Sequence, residues 1–230
     1  EPDATLHAGR RARLDEWLAR RAGGEPLQHV LGVAPFWGVE LEAGPGALVP
    51  RPETERLVER ALADLAGLAA PTVLDLGTGS GAIAVAIARE RPDAEVWAAD
   101  VDVDALEVAA RNVRALAPTV RLVRSDLFAA PELRGLLPRL DLLTANLPYL
   151  PASDADALPP EVRRDPPAAL FGGVDGLDPF RRAWGQMAAS LAGDAVAWFE
   201  LDPRNVGVAA DGVRADPAAA GREVRMADDL

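Results

Sequence analysis

The strongest constraint on this chain is a run of seven residues, Asp75-Leu76-Gly77-Thr78-Gly79-Ser80-Gly81. Before it, residues 72–76 read as a short apolar strand; after it, residues 82–91 read as a helix. Glycines at alternate positions let the backbone take φ > 0 and come close to a ligand. The same rhythm then repeats. A strand is expected over 95–99, ending at Asp100, and a helix over 104–116. Further strands are expected over 120–123, 141–145 and 195–201. A helix over 178–191 is read with Asp178 as its cap and Pro179 in its first turn, and a weak helix follows from Arg204. Strands alternating with helices predict an α/β fold with a doubly wound, mostly parallel, Rossmann-like sheet.

Upstream, residues 10–21 read as an amphipathic helix with Leu14, Trp17 and Leu18 on one face and arginines on the other, ended by Gly23-Gly24. Residues 33–49 read as short strands with turns at Gly38 and Gly44-Pro45-Gly46, and a helix is expected over 53–68. The expected organisation is a short N-terminal helical segment at 1–32, a β-hairpin connector at 33–52 and a catalytic domain at 53–230.

Composition removes several chemistries. Cysteine is absent, so there is no thiol nucleophile, thiolate zinc site or disulfide. All 24 basic residues are arginine, which excludes a Schiff-base lysine. The two histidines, His7 and His29, are too far apart for a helical ligand pair, and no metal site is expected. The net charge of −12 argues against a broad grip on nucleic acid. No apolar run approaches the roughly 20 residues of a membrane span. No signal peptide is visible, although the chain begins at Glu1 rather than Met, and the cytoplasm is the expected compartment.

Asp100 lies roughly 20 residues past the glycine run, where a strand-end acid accepts hydrogen bonds from ribose hydroxyls. Two cofactors suit this geometry. Gly77, Gly79 and Ala82 fit a dinucleotide turn, while Gly77, Gly79 and Gly81 read better as the G-x-G-x-G turn of S-adenosylmethionine enzymes. Asp75 favours the second, because a carboxylate there suits a cationic amino-acid ligand and repels a pyrophosphate. A tight turn without a ligand is the plain alternative.

After the fourth strand stands Asn146-Leu147-Pro148-Tyr149. These residues suit one task, holding a planar NH₂ group: the Asn146 side-chain oxygen accepts one N–H and the Leu147 carbonyl the other. Tyr149 offers a flat face for stacking. An Asx-type turn before a proline is the alternative. Arg51 and Glu53 either close over a substrate or form a connecting ion pair. Phe36, Trp37, Trp17, Trp184 and Trp198 are expected in the core, and His29 at the surface or as a satisfied polar residue. Asp154, Asp156, Glu161 and Asp165 are expected on a solvated face of the long Pro-rich loop at 147–177, which could also serve as a lid.

These residues resemble the HemK/PrmC family of protein-glutamine methyltransferases. The resemblance rests on 75–81, Asp100, Ser125-Asp126 and Asn146-x-Pro148-Tyr149, and on Gly24-Glu25-Pro26-Leu27, Phe36-Trp37-Gly38 and Pro50-Arg51-Pro52-Glu53-Thr54-Glu55. It also includes Ala169-Leu170-Phe171-Gly172-Gly173 with Asp175-Gly176-Leu177, and spans about 23–230. Leu147 stands where the family usually has the first proline of Asn-Pro-Pro-Tyr, which resembles a related Asn-x-Pro-Tyr subgroup. The resemblance implies a seven-stranded class I methyltransferase sheet, a longer helical N-terminal domain, S-adenosylmethionine as donor and S-adenosylhomocysteine as product. The implied substrate is a glutamine in a protein, in the Gly-Gly-Gln loop of a release factor or in a ribosomal protein. By resemblance, Gly77, Thr78, Gly79, Ser80 and Gly81 hold the methionine part, Asp100 the ribose, and Asp126 and Leu127 lie beside the adenine; Val101, next to Asp100, is expected at the cofactor too. By the same resemblance Asn146, Leu147, Pro148 and Tyr149 hold the glutamine; Arg51 is expected at the substrate, closing over it. Competing functions are a nucleic-acid amino-methyltransferase using the same corner on a flipped base, a non-catalytic cofactor-binding module, and a nicotinamide-dependent oxidoreductase.

Overall fold

The computed structural model describes residues 8–227; His7 and both chain ends, Glu1 and Leu230, lie outside the described residues. The chain begins with α1 (Ala8–Ala22) and α2 (Leu27–Leu31), then a hairpin of β1 (Val33–Phe36) and β2 (Val39–Glu42), then α3 (Thr54–Asp64). The alternating part follows as β3 (Thr72–Leu76), α4 (Ala82–Glu90), β4 (Glu95–Asp100), α5 (Val103–Leu116), β5 (Arg121–Arg124), α6 (Pro131–Leu136) and β6 (Leu142–Ala145). It closes with α7 (Pro167–Leu170), α8 (Asp178–Met187), β7 (Val196–Phe199) and α9 (Val206–Ala215).

The central sheet has the order β5-β4-β3-β6-β7, and every pairing in it is parallel. The order runs outward from β3 to β5 on one side and restarts at β6 on the other. The crevice beyond the carboxyl ends of β3 and β6 is therefore the topological switch point, where such sheets bind ligands. β3 is buried along its whole length, as its position at the centre requires. α4 is buried from Ala82 through Ala88, so its sequence is apolar all round rather than on one stripe. One core cluster joins α3, α4 and the hairpin, with Phe36 and Leu41 packed among Val58, Ile83 and Ile87. A second lies under α6 and α8, with Leu133, Leu136 and Met187 against Leu74 and Leu143.

Several expectations change. Among the described residues the main sheet has five strands, not seven, and the hairpin is a separate two-stranded sheet. The apolar face of α1 is not packed inward: Leu14 is 39% and Leu18 57% exposed. Trp17 is half-buried beneath the Arg13 guanidinium rather than in the core. Three helices escape the pattern, because α2, α6 and α7 are each too short to show a period. Residues 44–49 form no strand, the helix expected over 53–68 ends at Asp64, and α8 stops at Met187. Asp178 is the first residue of α8 and not its cap; the cap position is Leu177, with no side-chain bond. His29 is buried, not on the surface, and its Nε2 finds no partner among the described residues. The long loop carries α7 and a bridge between Leu150 and Phe171.

Candidate active site

The glycine turn is built to place its backbone over a cleft. Gly77, Gly79 and Gly81 have φ of +73°, +54° and +83°, a region that costs other residues about 1–2 kcal/mol each. The Gly77 and Thr78 amides donate to the Ala99 carbonyl at 2.8 and 2.9 Å, which ties the turn to β4. Two of the three glycines face neighbours. A Cβ on Gly77 would stand 2.7 Å from Leu147 Cδ2, and one on Gly81 would touch Ala109 of α5 at 3.4 Å. A Cβ on Gly79 would meet nothing within 4 Å. The space over Gly79 is part of a cleft walled by Gly77, Thr78, Gly79, Ser80, Asp100, Val101, Ser125, Asp126, Leu127, Asn146, Leu147, Pro148 and Arg51.

Asp100 sits at the edge of that space. Its Oδ2 accepts from the Gly79 amide at 2.9 Å and its Oδ1 from the Asp102 amide at 3.0 Å. Burial pushes its carboxyl above the usual range, against the pull of those amides. The carboxylate is thus held rigidly with its remaining lone pairs for a ligand. Asp75 is placed differently from the expectation. It is fully buried behind the turn, not on the cleft wall, and its oxygens accept from Thr78 Oγ1 at 2.6 Å and Thr144 Oγ1 at 3.0 Å. Burial raises its pKa to about 6. It pins the turn to β6 and does not face a cationic ligand.

Across the cleft, the chain after β5 is bent by Leu127, which has φ of +51°. Ser125 holds the bend: its Oγ donates to the Leu127 carbonyl at 2.7 Å and accepts from the Ala130 amide at 2.9 Å. Asp126 is paired with Arg182 of α8 at 2.6 Å. Val101 is an exposed apolar lip.

The third wall is the corner after β6. The Asn146 Nδ2 donates to Thr54 Oγ1 at 3.2 Å and to Glu200 Oε1 at 2.9 Å. Leu147 is buried against the glycine turn. No hydrogen bond among the described residues engages the Leu147 carbonyl. A glycine-rich loop braces the corner from behind: a Cβ on Gly176 would stand 2.0 Å from the Tyr149 carbonyl oxygen, and one on Gly172 2.4 Å from that of Pro148. Asn205 Nδ2 also donates to the Tyr149 carbonyl, at 3.3 Å. Tyr149 is half-buried. Its hydroxyl pKa is pushed up to about 12 by burial and by the nearby Glu200 carboxylate, with Arg51 opposing.

Arg51 reaches the cleft and is held there by Asp165, whose Oδ2 accepts from Nη2 at 2.5 Å. Asp165 is 2% exposed, so it is a buried clasp and not part of a solvated loop face. Sequence reasoning does not reach Thr54, Thr144, Asp165, Arg182 and Glu200 as site residues. Thr54 alone carries a local signal, inside Pro-Arg-Pro-Glu-Thr-Glu; the others are known only through partners far along the chain.

These features fit S-adenosylmethionine. The open space over Gly79 admits a ligand against backbone, the Asp100 carboxylate suits a ribose, and the strip from Asp126 to Leu127 offers an acid and an apolar side for a base. No group of His, Cys, Asp and Glu among the described residues is arranged to hold a metal ion.

A parallel sheet carrying this turn, this strand-end acid and this asparagine corner defines a class I S-adenosylmethionine-dependent methyltransferase. The family model for the methyltransferase small domain matches residues 54–152. Solved structures share the fold. The hMettl16 catalytic domain in complex with an RNA hairpin aligns over 77% of this chain and 67% of its own, at 15% identity and a TM-score of 0.60. Ribosomal protein L11 methylase from Lactobacillus delbrueckii subsp. bulgaricus aligns over 74% and 72%, at 20% identity and a TM-score of 0.50. Sequence relatives are more specific. The release factor glutamine methyltransferase of Deinococcus radiodurans is 40% identical over 219 residues, covering 95% of this chain and 76% of that protein. That of Burkholderia pseudomallei is 44% identical over 86% of this chain and 70% of that protein. That of Pseudomonas aeruginosa is 45% identical over 83% and 67%. The chain belongs to the release factor glutamine methyltransferase family.

Proposed function

We propose that this chain transfers the methyl group of S-adenosylmethionine to the side-chain amide nitrogen of a glutamine in a peptide chain release factor, leaving S-adenosylhomocysteine. The observation that carries the reading is the Asn146 corner. It stands beside the glycine turn with Leu147 against Gly77, its Asn146 Nδ2 is held by Thr54 and Glu200, and in this reading Asn146 Oδ1 and the Leu147 carbonyl are the two acceptors for the substrate NH₂.

The bound cofactor supplies an electrophilic methyl on a sulfonium sulfur. The glycine turn from Gly77 to Gly81 holds its methionine part, Asp100 accepts from the ribose, and Val101, Asp126 and Leu127 flank the adenine. Asp75 acts behind the turn by fixing Thr78. An amide nitrogen is a poor nucleophile, so the chain works by position and by fixed acceptors. Asn146 Oδ1 and the Leu147 carbonyl take the two N–H groups, aim the nitrogen lone pair at the methyl, and stabilise the positive charge that develops there. Pro148 holds Leu147 in extended backbone, which aims its carbonyl. Tyr149, next in the chain, offers a flat face for the substrate amide. The proton is lost to water afterwards, because an N-alkylated amide cation is strongly acidic. Arg51, clasped by Asp165, stands at the mouth where the substrate loop enters.

In this reading residues 53–230 carry the catalysis, 1–32 are a helical segment and 33–52 a hairpin connector. The reaction belongs in the cytoplasm, where release factors work; among the described residues no helix is long and apolar enough to cross a membrane.

The test is methyl transfer from labelled S-adenosylmethionine to purified release factor, with the modified residue read by mass spectrometry. Label on the glutamine of its Gly-Gly-Gln loop, absent with Asn146→Ala, is the expected result. Label in nucleic acid instead would overturn the reading.

A further inference from the structure

The parallel pairing of β6 with β7 sets Ala145 opposite Phe199, so the next residues, Asn146 and Glu200, leave the sheet side by side. The Glu200 amide donates to the Ala145 carbonyl at 2.9 Å, which fixes where its side chain starts. Glu200 Oε1 then accepts from Asn146 Nδ2 at 2.9 Å, and Thr54 Oγ1, from the first residue of α3, accepts from the same nitrogen at 3.2 Å. Both N–H groups of the amide are thereby engaged.

The two ends of an asparagine amide have nearly the same shape, so packing alone does not choose between them. Hydrogen-bond chemistry does. A carboxylate oxygen accepts, so Glu200 Oε1 holds the NH₂ end of the amide and leaves Oδ1 as the acceptor for a substrate. With the amide reversed, two donors would face each other at the substrate nitrogen and leave it unpaired. The carboxylate also polarises the amide, which makes Oδ1 a better acceptor as positive charge develops on the substrate.

We propose that Glu200, assisted by Thr54, is a positioning residue that locks the Asn146 amide with its oxygen in the cleft, and so selects a carboxamide NH₂ over a carboxylate as the methyl acceptor. The inference rests on the glutamine methylation proposed above and adds the groups that set its orientation.

The experiment compares the full chain with Glu200→Gln, Asn146→Asp and the double variant, measuring kcat and KM toward release factor. A glutamine at 200 presents either end, so kcat is expected to fall by about tenfold or more, with cofactor KM within about twofold. Asn146→Asp sets two carboxylates together and falls further. Adding Glu200→Gln restores the bond with reversed polarity, the new amide at 200 donating to the new carboxylate at 146, and is expected to recover about tenfold over Asn146→Asp alone. Wild-type kcat in Glu200→Gln, or no recovery in the double variant, overturns the proposal. Should a variant at 200 fail to fold, Thr54→Val provides the second arm: a smaller loss, restored by Thr54→Ser, supports the lock, and no loss overturns it. The Asn146 side-chain ¹⁵NH₂ signal gives a readout free of substrate. Its protons are expected to exchange slowly with water in the wild type and faster in Glu200→Gln; equal rates overturn the lock. A chain with an anchored Asn146 that methylates no release factor would sink the glutamine reading and leave the positioning role in place.

Discussion

The two halves of the cleft are made by different means. The half under β3 and β4 is local: its shape comes from three glycines within five residues and from Asp100, and its hydrogen bonds run largely through backbone amides. The half under β6 and β7 is assembled from a distance. Asn146 depends on Thr54 and Glu200, 92 and 54 residues away, and Arg51 depends on Asp165, 114 residues away. A backbone cradle suits a ligand of fixed structure. Side chains gathered from remote segments suit a substrate that must be told apart from near neighbours by its donors.

That contrast breaks most visibly in kinetics. Asn146→Ala is expected to lower kcat by about 10²–10³-fold, as loss of one preorganised hydrogen-bonding group does elsewhere, with the cofactor Kd unchanged by calorimetry. Asp100→Ala is expected to do the reverse, weakening cofactor binding by about 1.5–3 kcal/mol, as for loss of a charge-assisted bond, while kcat at saturating cofactor stays near wild type. If either change moves both quantities equally, the halves are not separable.

Gly176→Ala sharpens the comparison from behind the corner. Its φ is +80° and the added Cβ would stand 2.0 Å from the Tyr149 carbonyl oxygen, so the backbone of the corner must move. A stability loss of at least about 2 kcal/mol is expected from strain and overpacking. Urea denaturation measures it, and a loss of kcat with cofactor affinity retained would place the damage in the substrate half.

Asp75 links the halves through Thr78 and Thr144, and pH tests that link. Its folded pKa is raised to about 6 from an ordinary value of 3.8, chiefly by burial. The native state therefore binds more protons than the unfolded state across that window, and this group's contribution to stability falls as pH rises through it and is flat above. The difference in stability between wild type and Asp75→Asn is expected to slope between those pH values and to level off beyond. A difference independent of pH would mean that Asp75 titrates normally. The smallest effect is expected for Arg182→Ala. Arg182 and Asp126 are both about half exposed, at 54% and 51%, so the change in stability stays within about 0.5 kcal/mol, read as a shift in urea midpoint.

The same division decides what can be read from the sequence. β3 lies at 72–76 as expected, and the turn and Asp100 follow at their expected places, because strand, glycines and acid are adjacent in the chain. The Asn-x-Pro-Tyr corner is legible as residue types, but not the partners, Thr54 and Glu200, that hold its asparagine. Asp165 reads as one more acid in an acidic, proline-rich loop; only the fold brings it to Arg51 and buries it. Glu200 carries no signal at the end of its strand, because its meaning lies in the register between β6 and β7. The apolar stripe of α1 predicts burial, but periodicity reports a face and not what covers it.

The hairpin has a consequence for what counts as a unit. Phe36 and Leu41 are 2% and 0% exposed, within the same cluster as Val58, Ile83 and Ile87, and Asn112 of α5 accepts from the Glu42 amide at 2.7 Å. A fragment starting at Thr54 would bare the outer sides of α3 and α4 to water. The stretch from 54 to 152 that the family model matches is thus not by itself a unit of folding. Any attempt to transplant this catalytic sheet into another protein has to carry the hairpin from Val33 with it.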